Sequence, residues 1–304
     1  MTLVVVFRRK VREHSELMFG SGSRINRFEL VFGADSRLSG GQYFDHAQKI
    51  FQLPRSDALF AFAGGTDYAY PLLMQMLRSI ESFPPSADGR LVLSKAKGHI
   101  LRVFQQSYSS IHNLPINQRY PEDPNNYFLL GGYNWVTSDF NSWVLRFDAT
   151  IKRFVFSKVA QSNSFYFISD DQAARSHAIA ETNRLLRSRG KTTLKINYEP
   201  LEVLGRIITD ASFPSIGGVP QVGKVYPYLR TQLFQVKWPK ADSSIEALHI
   251  AGRPLLPTEK CSWPVFDPDR GFYVPRQRFF AGDADDNVDD AGEDGEMVLL
   301  THSS

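Results

Sequence analysis

Two pairs of amphipathic helical stretches, each bracketed by blocks of apolar strand, constrain this chain more than any single residue does. Residues 67–83 (DYAYPLLMQMLRSIESF) and 94–111 (SKAKGHILRVFQQSYSSI) repeat apolar residues at spacings of three and four, as one buried helix face requires. The pattern returns at 170–189 and 200–212, where Asp170 or Asp171 suits the N-terminus of the first of the two helices. Around them lie short β-branched and aromatic runs: TLVVVFRR at 2–9, RFELVFG at 27–33, ALFAFAGG at 58–65, and YFLLGGYNW, SWVLRFDA, KRFVFSKV and SFYFIS between 127 and 169. Strands, two helices, strands, two helices, strands: this order predicts an α+β fold with two sheets inside and helices outside. Pro71 lies too late for a first helical position and predicts an irregular start to the first helix.

At 304 residues the chain buries a large core without metal or disulfide staples. Its single cysteine, Cys261 in EKCSWPVF, excludes a disulfide framework and reads as a small buried hydrophobe. The body of the fold is expected over 1–240, with 10–26 an inserted loop or hairpin, marked by Gly-Ser-Gly-Ser, and 241–280 a C-terminal extension of the domain. Residues 281–296 hold eight acids and no bases, and 281–304 reads as a disordered acidic tail, with MVLL at 297–300 an incidental apolar stretch. Residues 1–280 then carry 35 basic against 24 acidic groups, a net +11. The basic residues are scattered, so nucleic acid is a weak expectation as a partner. No apolar run approaches a membrane span or forms a secretory signal, and the expected compartment is the cytoplasm.

Motifs for phosphate loops, Ser-elbow hydrolases, EF-hands and H-E-x-x-H metal sites are missing, and the seven histidines are dispersed. The expectation is no cofactor and no metal. One constellation survives: Thr2 opening the first strand, Asp35 and Arg37 closing the second, Lys49 opening another, and Gly64-Gly65 closing the next. A threonine hydroxyl attacks a carbonyl only when a base takes its proton, and a free α-amine, whose pKa lies near neutrality, is such a base. Removing Met1 exposes that amine on Thr2. A lysine beside it favours the neutral amine and assists the hydroxyl, an aspartate orients the lysine, and a glycine N–H stabilises an oxyanion. Each residue also has a plain structural role: a turn with a surface ion pair for Asp35 and Arg37, a solvated strand residue for Lys49, a hairpin for Gly64-Gly65.

Together these segments resemble the proteasome family, especially the bacterial HslV-type peptidases. TLVVVFRR is similar to that family's threonine-led first strand, FGADSRLSGG to its second-strand ending, QKIFQL to its lysine-bearing strand, and FAFAGGTDYAYPLLMQML to its glycine turn and first helix. FLLGGYNW with SWVLRFDA resembles its midpoint hairpin, and PSIGGVPQVGKV its Gly-Gly strand start; the likeness runs from residue 2 to about 235. It implies a four-layer αββα sandwich and a threonine-type N-terminal-nucleophile hydrolase that cleaves peptide bonds. Thr2 would be the nucleophile and its amine the base, with Lys49 lowering the threonine's effective pKa and Asp35 positioning Lys49. Gly64 would donate to the oxyanion, and Arg37 and Gly65 would support the site. The likeness also implies a homo-oligomeric ring, a peptide or protein substrate and an ATPase partner. The chain departs from the family where FISDDQ replaces a Gly-Ser-Gly type turn, in SFPSIGG, where Asp210 and Ser215 lie near but not at the usual places, and in the long 10–26 segment. A non-catalytic ring or scaffold subunit is therefore a second expectation.

Overall fold

The computed structural model describes residues 2–11, 27–160, 164–227, 229–239, 246–269 and 271–273. Strands β1 (Leu3–Val11) and β2 (Arg27–Ala34) are followed by a two-strand finger, β3 (Leu38–Ser39) and β4 (Tyr43–Phe44), and then by β5 (Ile50–Gln52) and β6 (Ala58–Gly64). Helices α1 (Thr66–Glu81), α2 (Pro84–Ala87) and α3 (Leu93–Ser109) come next. Strands β7 (Asn126–Asn134), β8 (Asp139–Asp148), β9 (Arg153–Lys158) and β10 (Phe165–Ser169) lead to α4 (Gln172–Ser188) and α5 (Glu199–Ile208). The rest is strand: β11 (Gln221–Tyr226), β12 (Arg230–Leu233), β13 (Gln235–Pro239), β14 (Glu246–Ile250), β15 (Arg253–Pro254), β16 (Val265–Asp267) and β17 (Gly271–Tyr273). The chain is thus α+β, as the order of periodicities predicts.

Two five-stranded antiparallel sheets carry the structure, one ordered β10-β1-β2-β11-β12 and the other β5-β6-β7-β8-β9. β1 explains their relation. Its residues Leu3, Val5 and Phe7 join a core with Ala174, Ala178, Leu185, Leu201 and Leu204 of α4 and α5, while Val4 and Val6 face Leu59, Ala61 and Leu129 of the second sheet. Side chains alternate between the faces of a strand, so a strand covered on both sides must be apolar at every position; LVVVF is. β6 repeats the arrangement, with Phe60 and Phe62 packed on α1 and α3 and Leu59, Ala61 and Ala63 on the first sheet.

Asp171, not Asp170, caps α4, its carboxylate accepting from the N–H groups of Ala173 and Ala174. α1 begins in order at Thr66 and runs through Pro71, contrary to the irregular start expected of it. The missing proline N–H is one hydrogen bond lost in a helix that buries Ala69, Leu72, Leu73, Met76 and Ile80, and packing outweighs it.

Two boundaries and the burial of one side chain differ from the sequence reading. Lys10 and Val11 are the last residues of β1, paired with Phe28 and Arg27, so a 10–26 insertion begins two residues too early; 12–26 lie outside the described residues, as does the acidic tail. The C-terminal strands do not extend the two main sheets. They form a third sheet, β15-β14-β13-β16-β17, whose central strand β13 precedes residue 240, so a division there passes through the sheet. Cys261 is half-buried, in the loop between β15 and β16, where its carbonyl accepts from Gln235 Nε2 at 3.3 Å.

Candidate functional site

Antiparallel pairing brings the ends of distant strands together. β1 starts where β2 finishes, with Val4 opposite Ala34, and β11 starts beside the same Ala34. Thr2, Asp35 and Gln221 therefore meet at one end of the first sheet. The second sheet supplies Lys49, the residue before β5, and Gly64 closes β6 at that end, two residues beyond Phe62, whose N–H donates to the Lys49 carbonyl.

Lys49 is the centre. Its side chain has no solvent exposure, and its Nζ donates to Thr2 Oγ1 at 2.8 Å, to Asp35 Oδ1 and Oδ2 at 3.0 Å each, and to the Arg37 carbonyl at 2.5 Å. An ammonium has three N–H donors and no acceptor, so three partners consume the set and Thr2 Oγ1 can only accept from it. The hydroxyl keeps its own proton to give away. Burial pushes the Lys49 pKa below its ordinary value, while the Asp35 carboxylate pulls it back up.

Asp35 is held from four directions. Besides Lys49 it accepts from Leu3 N at 3.0 Å, Arg37 N at 3.1 Å and Gly217 N at 3.3 Å, so one carboxylate ties together β1, its own turn and the loop before β11. Arg37 braces that turn from outside: its guanidinium makes a bidentate pair with Asp45, at 2.6 and 2.8 Å, and donates to the Pro214 carbonyl at 2.8 Å. The pairing raises the Arg37 pKa and lowers that of Asp45. A Cβ on Gly217 would stand 2.5 Å from the Arg37 guanidinium carbon, so no other residue lets the arginine lie there. Gly64, with φ of +115°, is packed against Asn125 and Asn126, and the carbonyl of Gly65 accepts from Asn126 Nδ2 at 2.6 Å. Lys49 thus contacts both Thr2 and Asp35, Arg37 joins Lys49 and Asp35 through its backbone, and Gly64 and Gly65 share the sheet end without joining that hydrogen-bonded set.

Two further residues complete the arrangement. Gln221 Oε1 accepts from Lys49 N at 2.9 Å and its Nε2 donates to the Ala47 carbonyl at 2.6 Å, lacing the Lys49 strand onto the first sheet. Asp170 Oδ1 accepts from the Thr2 backbone N at 2.8 Å. In the sequence Asp170 reads only as a rival to Asp171 for the helix cap; the clue is that two consecutive acids cannot both cap one helix, and the spare one stands directly after β10, the partner of β1. The site thus contains a buried hydroxyl, the amine position of the same residue, one buried cation and two carboxylates. Among the described residues no group of three or more acidic, histidine or cysteine side chains is arranged to hold a metal ion, and no helix is long and apolar enough to cross a membrane. No protein-family model matches the chain, and no curated protein matches it.

Proposed function

We propose that this chain is a proteasome-like N-terminal-nucleophile hydrolase, a four-layer αββα sandwich that cleaves peptide bonds through Thr2 once Met1 is removed. The observation that carries the reading is the Lys49 ammonium, 2.8 Å from Thr2 Oγ1 and held there by Asp35. Asp35 compensates the buried charge, and the remaining N–H aimed at the hydroxyl is placed to stabilise an alkoxide there.

The chemistry follows from the donors. Thr2 Oγ1 attacks the substrate carbonyl carbon, and its proton passes to the free α-amine of the same residue. Lys49 stabilises the oxygen as it loses that proton, and Gly64 offers an N–H to the carbonyl oxygen as it becomes an oxyanion. The tetrahedral intermediate collapses, the C–N bond breaks, and the leaving amine takes the proton, giving an ester on Thr2. Water, activated by the same amine, attacks the ester and regenerates the hydroxyl. A cytoplasmic homo-oligomeric ring that receives peptide or unfolded protein from an ATPase belongs to the same proposal, and native mass spectrometry reads the ring.

A second reading has its own observation: Thr2 is only 2% exposed, as suits a non-catalytic ring subunit whose polar cluster merely packs. Intact-mass spectrometry before and after treatment with a peptide boronate separates the two. The hydrolase reading expects loss of the Met1 mass, an adduct absent in Thr2→Ala, and hydrolysis of short peptides. Retained Met1, or trimmed protein with neither adduct nor hydrolysis, leaves the scaffold reading.

A further inference from the structure

Asp170 has no part in the chemistry just described, yet it makes the nearest carboxylate contact to the atom that must act as base. We propose that Asp170 is the built-in counter-ion of the Thr2 α-ammonium and sets the pH above which the nucleophile's base becomes available. This inference rests on the reading of Thr2 as an N-terminal nucleophile.

The geometry is specific. The Thr2 nitrogen lies 2.8 Å from Asp170 Oδ1, so after Met1 leaves, the charged amine sits in direct contact with a carboxylate. The position is held by its neighbours: Ser169 pairs with Leu3 across β10 and β1, and Asp171 anchors the start of α4 by accepting from Ala173 N and Ala174 N. Asp170 is therefore placed between a strand register and a helix cap. The other charged groups around Thr2 are Lys49 before β5, which contacts the hydroxyl, Asp35 after β2, which contacts Lys49, and the Arg37–Asp45 pair, engaged with each other. Lys49 favours the neutral amine; Asp170, hydrogen-bonded to the nitrogen itself, favours the protonated one and prevails by proximity. An opposite charge at this range moves a pKa by about 1–3 units. Burial and Lys49 pull the amine the other way, so the contact with Asp170 raises the acid limb of the activity profile relative to a chain that lacks this carboxylate.

The test compares the wild type with Asp170→Asn and Asp170→Ser, and with Asp171→Asn as a control that weakens the α4 cap alone. Each chain is released from a cleavable N-terminal tag with Thr2 as its first residue. The α-amine is titrated by the pH dependence of its carbamylation by cyanate, read by mass spectrometry of the N-terminal peptide, and peptide hydrolysis is followed over the same pH range. The expected result is a carbamylation midpoint lowered by at least one unit in both Asp170 variants and unmoved in Asp171→Asn. At a pH one unit below the wild-type midpoint, carbamylation is then at least about fivefold faster in the variants, and hydrolysis follows the same shift. An unmoved midpoint in both Asp170 variants overturns the proposal. A midpoint that moves in protein with no hydrolysis at any pH upholds the counter-ion and rejects the hydrolase reading.

Discussion

Two lysines are buried at opposite ends of one strand, and only one of them makes a candidate site. Lys49 meets Asp35, the residue just beyond β2; Lys224 on β11 meets Glu29 near the start of β2, at 3.0 Å. Six residues of strand separate the two acids by about 20 Å. Both lysines lose their hydration, and burial pushes Lys224 down to about 8 and lowers Lys49 as well. The partners differ. Glu29 is shared with Arg9, 2.6 Å away, and the surroundings are rings: Phe234 beside Lys224, and Tyr198, whose pKa burial raises, beneath Arg9. At the Lys49 end the cation also holds a hydroxyl whose own residue carries the amine position. What sets the Lys49 end apart is this contact between a buried ammonium and the hydroxyl of Thr2.

The sharpest way to test that contrast is to remove the hydroxyl. Thr2→Ala is expected to lower peptide hydrolysis by about 10³-fold or more with no fall in thermal midpoint, whereas Lys224→Met leaves hydrolysis within about twofold of the wild type. Equal losses in both would erase the distinction. Next in size is removal of either acid. Asp35→Ala and Glu29→Ala each strand a buried cation and should cost about 3–5 kcal/mol in urea denaturation, yet only Asp35→Ala should also abolish boronate adduction.

A smaller effect appears in the pH dependence of stability. The folded pKa of Lys224 lies below its unfolded value of 10.5, so between about 8 and 10 the unfolded chain binds more protons than the folded one. Stability then rises with pH across that window, by on the order of 2 kcal/mol, and is flat with respect to this group below it. Lys224→Met removes the rise, and denaturation at pH 7.5, 8.5 and 9.5 reads it. The smallest expected effect is at the brace: Arg37→Lys keeps the charge but not the fork to Asp45, costing roughly 1 kcal/mol in thermal unfolding.

Much of this was legible before any coordinates. Strands such as LVVVF and ALFAFA announce burial on both faces through consecutive apolar residues, and the helix pairs announce theirs by period. Thr2, Asp35 and Lys49 could be grouped because each stands at a strand end, where antiparallel pairing gathers distant positions. Gln221 was not legible, since a glutamine opening a strand looks like any polar edge residue until its amide is seen bridging two sheets. Asp170 was concealed by Asp171, which has the same side chain and a local role that pattern alone detects. The third sheet escaped because β13 and β16 pair in parallel across a long gap, and no local periodicity carries that pairing.

The place of β1 between β10 and β2 has a consequence in time. Leu3 pairs with Ser169, Asp35 takes a hydrogen bond from Gly217, and Lys49 is laced by Gln221, so the cluster around Thr2 is complete only when segments far downstream of β1 and β2 are in place. A chain still lacking β11 carries Thr2, Asp35 and Lys49 but not the Gln221 amide that fastens the Lys49 strand to the first sheet. Assembly of this kind is all-or-none: a product truncated before β11 holds the threonine and the lysine without the bridge that fixes one against the other.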